Sequence, residues 1–170
     1  RLRRRPGRGE EQALGLLAHC HACGSQELQP LIRLRQWQPC LCSAGPSLQP
    51  LAISGPLWLG ALQDPLLLGA MVAQATAAPA VSLDPGTGRL LARLAADPGL
   101  PARCWPLAEI GRRLGGGPPP LASLVAALQS EGWLAQASGL MHGQLRSDAP
   151  WSVILQMGRR LIASTAAAAK

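Results

Sequence analysis

Apolar residues fall in short runs that glycine, proline and paired cysteines interrupt. Residues 12–19 (Gln-Ala-Leu-Gly-Leu-Leu-Ala-His) make the first run, of a length suited to a strand. Residues 31–37 alternate, with Leu31, Arg33 and Arg35 set against Ile32 and Leu34, which predicts a half-buried strand. A third run, residues 55–62 (Gly-Pro-Leu-Trp-Leu-Gly-Ala-Leu), closes a small β unit with Trp58 as its one bulky core residue. Asp64-Pro65 then reads as a helix start, Asp as N-cap and Pro in the first turn, and the helix over 66–77 runs until Pro79. The stretch 51–72 is apolar enough to suggest a membrane span, but Gln63-Asp64-Pro65 interrupts it. An Asp at mid-span costs about 2.5–3.5 kcal/mol on the most lenient scale, so no membrane role is expected.

The second half changes period. Residues 88–96 repeat apolar positions at Leu90, Leu91, Leu94 and Ala95, a helical face that stops at Asp97-Pro98-Gly99. Leu107–Leu114 predicts a second helix, ended by Gly115-Gly116-Gly117, and Pro118 to Pro120 make the turn. Leu121–Ser130 predicts a third, with Leu121, Leu124, Val125 and Leu128 on one stripe, and residues 133–136 read as a strand after Gly132. Helix, Gly-rich turn, helix, strand is the order of a winged helix-turn-helix, although inert packing units share it. A last helix over 151–163 would be capped by Asp148 and anchored by Trp151. The expected fold class is α+β, a small zinc-ribbon-like β unit followed by a winged-helix-like helical module. Its segments are a basic arm or linker over 1–12, the Cys-rich β unit plus helix over 13–80, the winged-helix-like module over 81–165 and a tail over 166–170.

Composition constrains how these pieces pack. Among 170 residues there is no Phe and no Tyr, and five Trp are the only aromatics besides three His. A core of Leu, Ala, Val and Ile rests on many small contacts, so some dependence on metal or partners is expected. The cysteines suggest which metal. Cys20-x-x-Cys23-Gly24 and Cys40-x-Cys42 offer four thiolates from two tight turns, the donor set of a structural zinc site, and a reducing, cytoplasmic setting favours metal over disulfides. The Cys40–Cys42 spacing is one residue tighter than a standard knuckle. It leaves open a strained turn, His19 or His21 as substitute ligand, or a thiol pair without metal. Cys104, beside Trp105, reads as a lone apolar thiol.

Charge points to nucleic acid. The net charge is +7 and the basic residues are nearly all Arg, whose forks match phosphate geometry. A high-GC coding bias would also enrich Arg. The third helix exposes Ser123, Gln129, Ser130 and Glu131 and no Arg or Lys, which is poor equipment for reading bases. Positive charge lies instead at Arg103, Arg112, Arg113 and Arg146, with His142 nearby, a pattern suited to backbone and shape recognition. These five are the candidate RNA-binding residues, with Trp58, Asp148 and Trp151 as structural ones. The chain begins at Arg1-Leu2-Arg3-Arg4-Arg5 without Met, which reads as a fragment or processed product.

The order Cys-x-x-Cys-Gly, Cys-x-Cys, Gly55-Pro56-Leu57-Trp58-Leu59-Gly60, Ala127 to Trp133, and Arg146-Ser147-Asp148-Ala149-Pro150-Trp151 resembles the C-terminal half of tRNA (guanine-26-N2) dimethyltransferases, in a bacterial member. The resemblance covers residues 14–160. It implies a tRNA partner and an S-adenosylmethionine-dependent catalytic domain upstream, which would itself be a partner of this chain. No catalytic residue is expected here. Gly86-Thr87-Gly88 is a lone turn motif. Asp64-Pro65, Asp84-Pro85 and Asp97-Pro98 are followed by Leu or Gly, where amine methylation in such families uses an aromatic to stack the base. The alternative is a free-standing winged-helix, zinc-ribbon regulator that binds duplex DNA.

Overall fold

A computed structural model describes residues 10–40, 42, 51–77, 84–97 and 99–168. The basic arm expected at the start and the proline expected to end the first helix lie outside these residues. A short 3-10 turn, Glu10–Ala13, leads into β1 (Leu14–His19), the central strand of a three-stranded antiparallel sheet ordered β2–β1–β3. β2 is Gln26–Pro30, pairing Leu17 with Leu28, and β3 is Ala52–Trp58, pairing Leu14 with Trp58.

The strand expected over 31–37 is not there. Residues 31–33 make one 3-10 turn and 34–39 are irregular. Both edges of β1 are already taken, and Pro30 has no N–H with which to carry a ladder forward. Trp58 is also not a core residue. It is 44% exposed on an outer strand, with its Nε1–H donated to Ala61 O at 2.9 Å. Among the described residues of this sheet unit only Ala18 and Cys20 are buried apolar side chains, so the unit has almost no core of its own.

α1 (Pro65–Ala77) starts as expected, with Asp64 Oδ1 accepting from the Leu66 and Leu67 N–H groups at 2.9 and 3.2 Å. None of its residues is buried. It packs against α2 (Pro85–Ala96), whose N-cap is Asp84, bonded to the Thr87 N–H at 3.2 Å. Gln63 ties the two segments together by donating to Leu94 O and Asp97 O at 3.0 and 2.6 Å.

Beyond α2 come β4 (Trp105–Pro106), α3 (Leu107–Leu114), α4 (Leu121–Ser130), β5 (Ala135–Ala137), β6 (Gln144–Ser147) and α5 (Trp151–Ala168). The three strands form a second antiparallel sheet ordered β4–β6–β5. Gly115, at φ +76°, ends α3 in the left-handed conformation that a side chain resists. The hydrophobic core sits here: Trp105, Ile110, Leu124, Leu128, Leu145 and Ile154 are buried from five different elements. Trp151 opens α5 and stacks on Trp105 with ring centroids 4.6 Å apart and planes at 14°.

Two side chains behave differently from expectation. Asp148 does not bond the start of α5; its Oδ1 accepts from the Leu134 N–H at 2.9 Å and so closes the open end of the β5–β6 hairpin. Arg146 points inward and is 2% exposed. Its Nε lies 2.9 Å from Asp97 Oδ1, and its Nη1 donates to Pro101 O and Ala102 O at 2.8 and 2.9 Å. The Asp97 carboxylate also accepts from the Gly99 and Gly139 N–H groups and from Ser138 Oγ. This buried cluster ties the end of α2 to β6 and to the β5–β6 connection, and occupies the group that sequence reasoning turned toward RNA.

Candidate functional site

The four cysteines of the two motifs converge. Their sulfurs all lie within 4.8 Å of one another, Cys20 facing Cys42 at 3.7 Å and Cys23 facing Cys40 at 3.5 Å. Four sulfurs held about 2.3 Å from a zinc ion lie about 3.8 Å apart, so the donor set and its spacing fit a tetrahedral four-thiolate site. No histidine substitute is needed: His19 and His21 stand outside the cluster, with ring centroids 4.7 Å apart.

The local reason is complementary geometry. Residues 20–25 fold into a closed turn, with the Cys20 N–H donated to Ser25 O and the Gly24 N–H donated to Cys20 O. Gly24, at φ +82°, supplies a conformation that other residues take at a cost of roughly 1–2 kcal/mol. The Ser25 N–H points back at Cys23 Sγ at 3.4 Å. Opposite the turn, Cys40 and Cys42 bring their sulfurs to those of Cys23 and Cys20, so a Cys-x-Cys pair meets the Cys-x-x-Cys turn.

Electrostatics sets Cys20 and Cys23 apart. Burial opposes ionisation of Cys20, but the Cys23 N–H and the thiols of Cys23 and Cys42 outweigh it and bring the group to about 7. Burial pushes Cys23 up to about 12, with the thiols of Cys40, Cys20 and Cys42 adding to the rise. Cys104 lies apart, and burial raises its thiol.

Beside the cluster lies a cleft of about 650 Å³ between the cysteine turns and the first turns of α5. Arg103 and Arg159 line it together with Cys23, Cys40, Cys42 and Ser152, and no carboxylate among the described residues does. Arg103 is half-buried, its guanidinium 4.7 Å above the Trp105 ring, and its Nη1 donates to Gln26 O at 3.3 Å. Arg113 is committed to structure: Nε donates to Glu109 Oε1 at 2.6 Å, and both Nη groups donate to carbonyls of the cysteine turn. Arg112 shares Glu109 but is 64% exposed, and His142 is exposed on the β5–β6 connection. The five predicted RNA-binding residues are therefore not one surface: Arg112 and His142 face solvent, Arg103 lines the cleft, Arg113 and Arg146 serve the fold. Arg159 was missed. Nothing in the sequence of this last helix signalled that its third turn would border the cysteine site.

The sequence matches the N2,N2-dimethylguanosine tRNA methyltransferase family over residues 5–159. The chain belongs to that family. Among solved structures, the fold is similar to Trm1 from Pyrococcus horikoshii, determined in complex with S-adenosyl-L-methionine. The two are 22% identical, with a TM-score of 0.62, over 86% of this chain and 35% of that one. The chain thus spans about a third of the length of that solved relative. No curated protein matches the sequence. Among the described residues no helix is long and apolar enough to cross a membrane.

Proposed function

We propose that this chain is the tRNA-gripping, non-catalytic C-terminal part of a bacterial, cytoplasmic tRNA guanine-26 N2-dimethyltransferase, stapled by a structural zinc ion. The observation that carries the reading is the family match across residues 5–159, in a chain whose net charge is +7. The order helix, strand, helix, helix, strand, strand from α2 to β6 supports reading that module as winged-helix-like. Because α4 exposes no Arg or Lys, that module would hold RNA by shape and backbone, through Arg112, His142 and the Arg103–Arg159 cleft, while an upstream pocket receives the flipped guanine. S-adenosylmethionine would supply the methyl group in that upstream domain, and nothing in this chain is assigned to bind it. Cys20, Cys23, Cys40 and Cys42 would hold the zinc, whose role is to fold the sheet unit.

The upstream domain would pack on α1 and β3. α1 is apolar on every side yet leaves Leu66 85% exposed and Leu67 61%, and a helix of that composition is ordinarily buried. Two-thirds of the length of the solved relative has no counterpart here, which is ample chain to cover such a face.

A gel-shift comparison of tRNA with duplex DNA of equal length at matched ionic strength tests the reading. Preference for tRNA is expected. Equal affinity for both, or preference for DNA, overturns it in favour of a DNA-binding regulator.

A further inference from the structure

Three successive backbone carbonyls of the cysteine turn point away from the sulfurs and into the helical unit. A turn that aims N–H groups at thiolates leaves its carbonyls on the outer side, where burial without donors would cost about 1–3 kcal/mol each. Here each carbonyl has a donor from far along the chain. Arg113, at the end of α3, donates Nη2 to His21 O at 3.0 Å and Nη1 to Ala22 O. Trp151, at the start of α5, donates Nε1 to Cys23 O at 2.8 Å. The donors are themselves fixed, Arg113 by Glu109 and Trp151 by its stack on Trp105 in the main core. The contact leaves no spare room: a Cβ on Gly24 would sit 3.1 Å from Glu109 Oε1, 3.3 Å from Arg113 Nε and 3.4 Å from Trp151 Cζ2.

We infer that Arg113 and Trp151 are positioning residues for the metal site, so that metal binding and docking of the sheet unit onto the helical unit are one coupled equilibrium. The inference rests on the zinc reading above and goes beyond it. The sheet unit has almost no core, so with the sulfurs unligated its turn is held chiefly by these donors. With the helical unit displaced, the sulfurs lose the frame that keeps Cys20 and Cys23 aimed at Cys40 and Cys42. By linkage, whatever tightens one must tighten the other by the same factor. Groups that orient metal ligands from outside typically change metal affinity by roughly 10–100-fold when removed.

The test is zinc affinity of the intact chain, measured by competition with a chromophoric chelator. Arg113→Ala and Trp151→Phe, the latter keeping a ring but losing its N–H, are each expected to weaken zinc at least tenfold at unchanged one-to-one stoichiometry. Arg160→Ala, whose partner is Glu131 at the C-terminal end of α4, should leave affinity unchanged. A second measurement covers the case in which Trp151→Phe does not fold. Hydrogen exchange of the wild-type chain with and without chelator should show α3 and α5 losing protection along with residues 20–25. Zinc bound by wild type with affinity within twofold in both variants, or exchange that quickens in the turn alone, overturns the coupling and leaves the zinc reading standing. A wild-type chain that takes up no zinc overturns both.

Discussion

Replacing Asp97 by Asn removes the charge that Arg146 faces while keeping the shape of the side chain. Both groups are fully removed from water, at 0% and 2% side-chain exposure, and Asp97 accepts from Gly99, Ser138, Gly139 and Arg146. Breaking a buried pair by deleting one partner costs about 3–5 kcal/mol, because the remaining charge is stranded. The new amide also brings its own hydrogens toward N–H donors that need an acceptor. For a chain of this length the loss corresponds to a fall of roughly 6–20 °C in melting temperature. The pH dependence has a definite sign. Burial works against the Asp97 charge, but the Gly99 N–H, Ser138 and Arg146 together hold its carboxyl below the ordinary 3.8. A carboxylate with a depressed folded value contributes stability above its unfolded value and loses it as pH falls through the folded one. The gap between wild type and Asp97→Asn should therefore be full near neutrality and shrink below about pH 4. Urea unfolding at fixed zinc concentration, repeated down the pH scale, measures it. A loss under about 1 kcal/mol, or one that does not change with acid, would refute the reasoning. The double variant Asp97→Leu with Arg146→Met should recover only part of the loss, since the Gly99 and Gly139 N–H groups still lack their acceptor.

Four further outcomes follow from the geometry. Purified under reducing conditions, the chain should carry one zinc by elemental analysis, and Cys23→Ser or Cys40→Ser should lose it with a large drop in melting temperature; retention of full zinc by either variant would count against the four-sulfur site. Gly24→Ala should destabilise by at least about 1–2 kcal/mol in thermal unfolding, since it is forced at φ +82° and crowded on three sides. Arg112→Ala or Arg159→Ala should weaken tRNA retention and lower the slope of log affinity against log salt by up to about one each; an unchanged slope removes that residue from the interface. In a protein that carries the upstream domain, Leu66→Glu with Leu67→Glu should loosen domain association, seen as faster exchange along α1 and easier proteolytic separation, with tRNA binding by the isolated chain preserved.

Much of the architecture was legible because it is local. Asp64-Pro65 starts a helix where N-cap chemistry says it should, and Leu107–Leu114 and Leu121–Ser130 carry their stripes in plain view. By contrast α2, expected from residue 88, already begins at Pro85 with Asp84 as its cap and takes Gly86-Thr87-Gly88, read as a turn, into its first turn. β2 was not legible: Gln26–Pro30 is mostly polar, and only its place against β1 makes it a strand. The alternation over 31–37 was real but had no partner edge, so Leu31, Ile32 and Leu34 stay exposed. The convergence of the cysteine quartet could be read from spacing, because two closely spaced pairs can bring four sulfurs together. Arg146 could not be read, since its partner lies 49 positions away and an arginine in a basic chain looks like surface until that partner is known. The same holds for Arg113 and Trp151, whose acceptors are backbone carbonyls and leave no trace in side-chain patterns.

The crosswise facing of the sulfurs carries a practical consequence for anyone who handles this protein. Two close sulfur contacts run between the motifs, Cys20 to Cys42 at 3.7 Å and Cys23 to Cys40 at 3.5 Å. A sample left in air without metal would therefore be expected to cross-link between the motifs, and the peptides joined in a digest would include the 20–42 and 23–40 pairs. Found in a mass spectrum, those links record the shape of the empty site, and they would lock the sulfurs away from any metal added later.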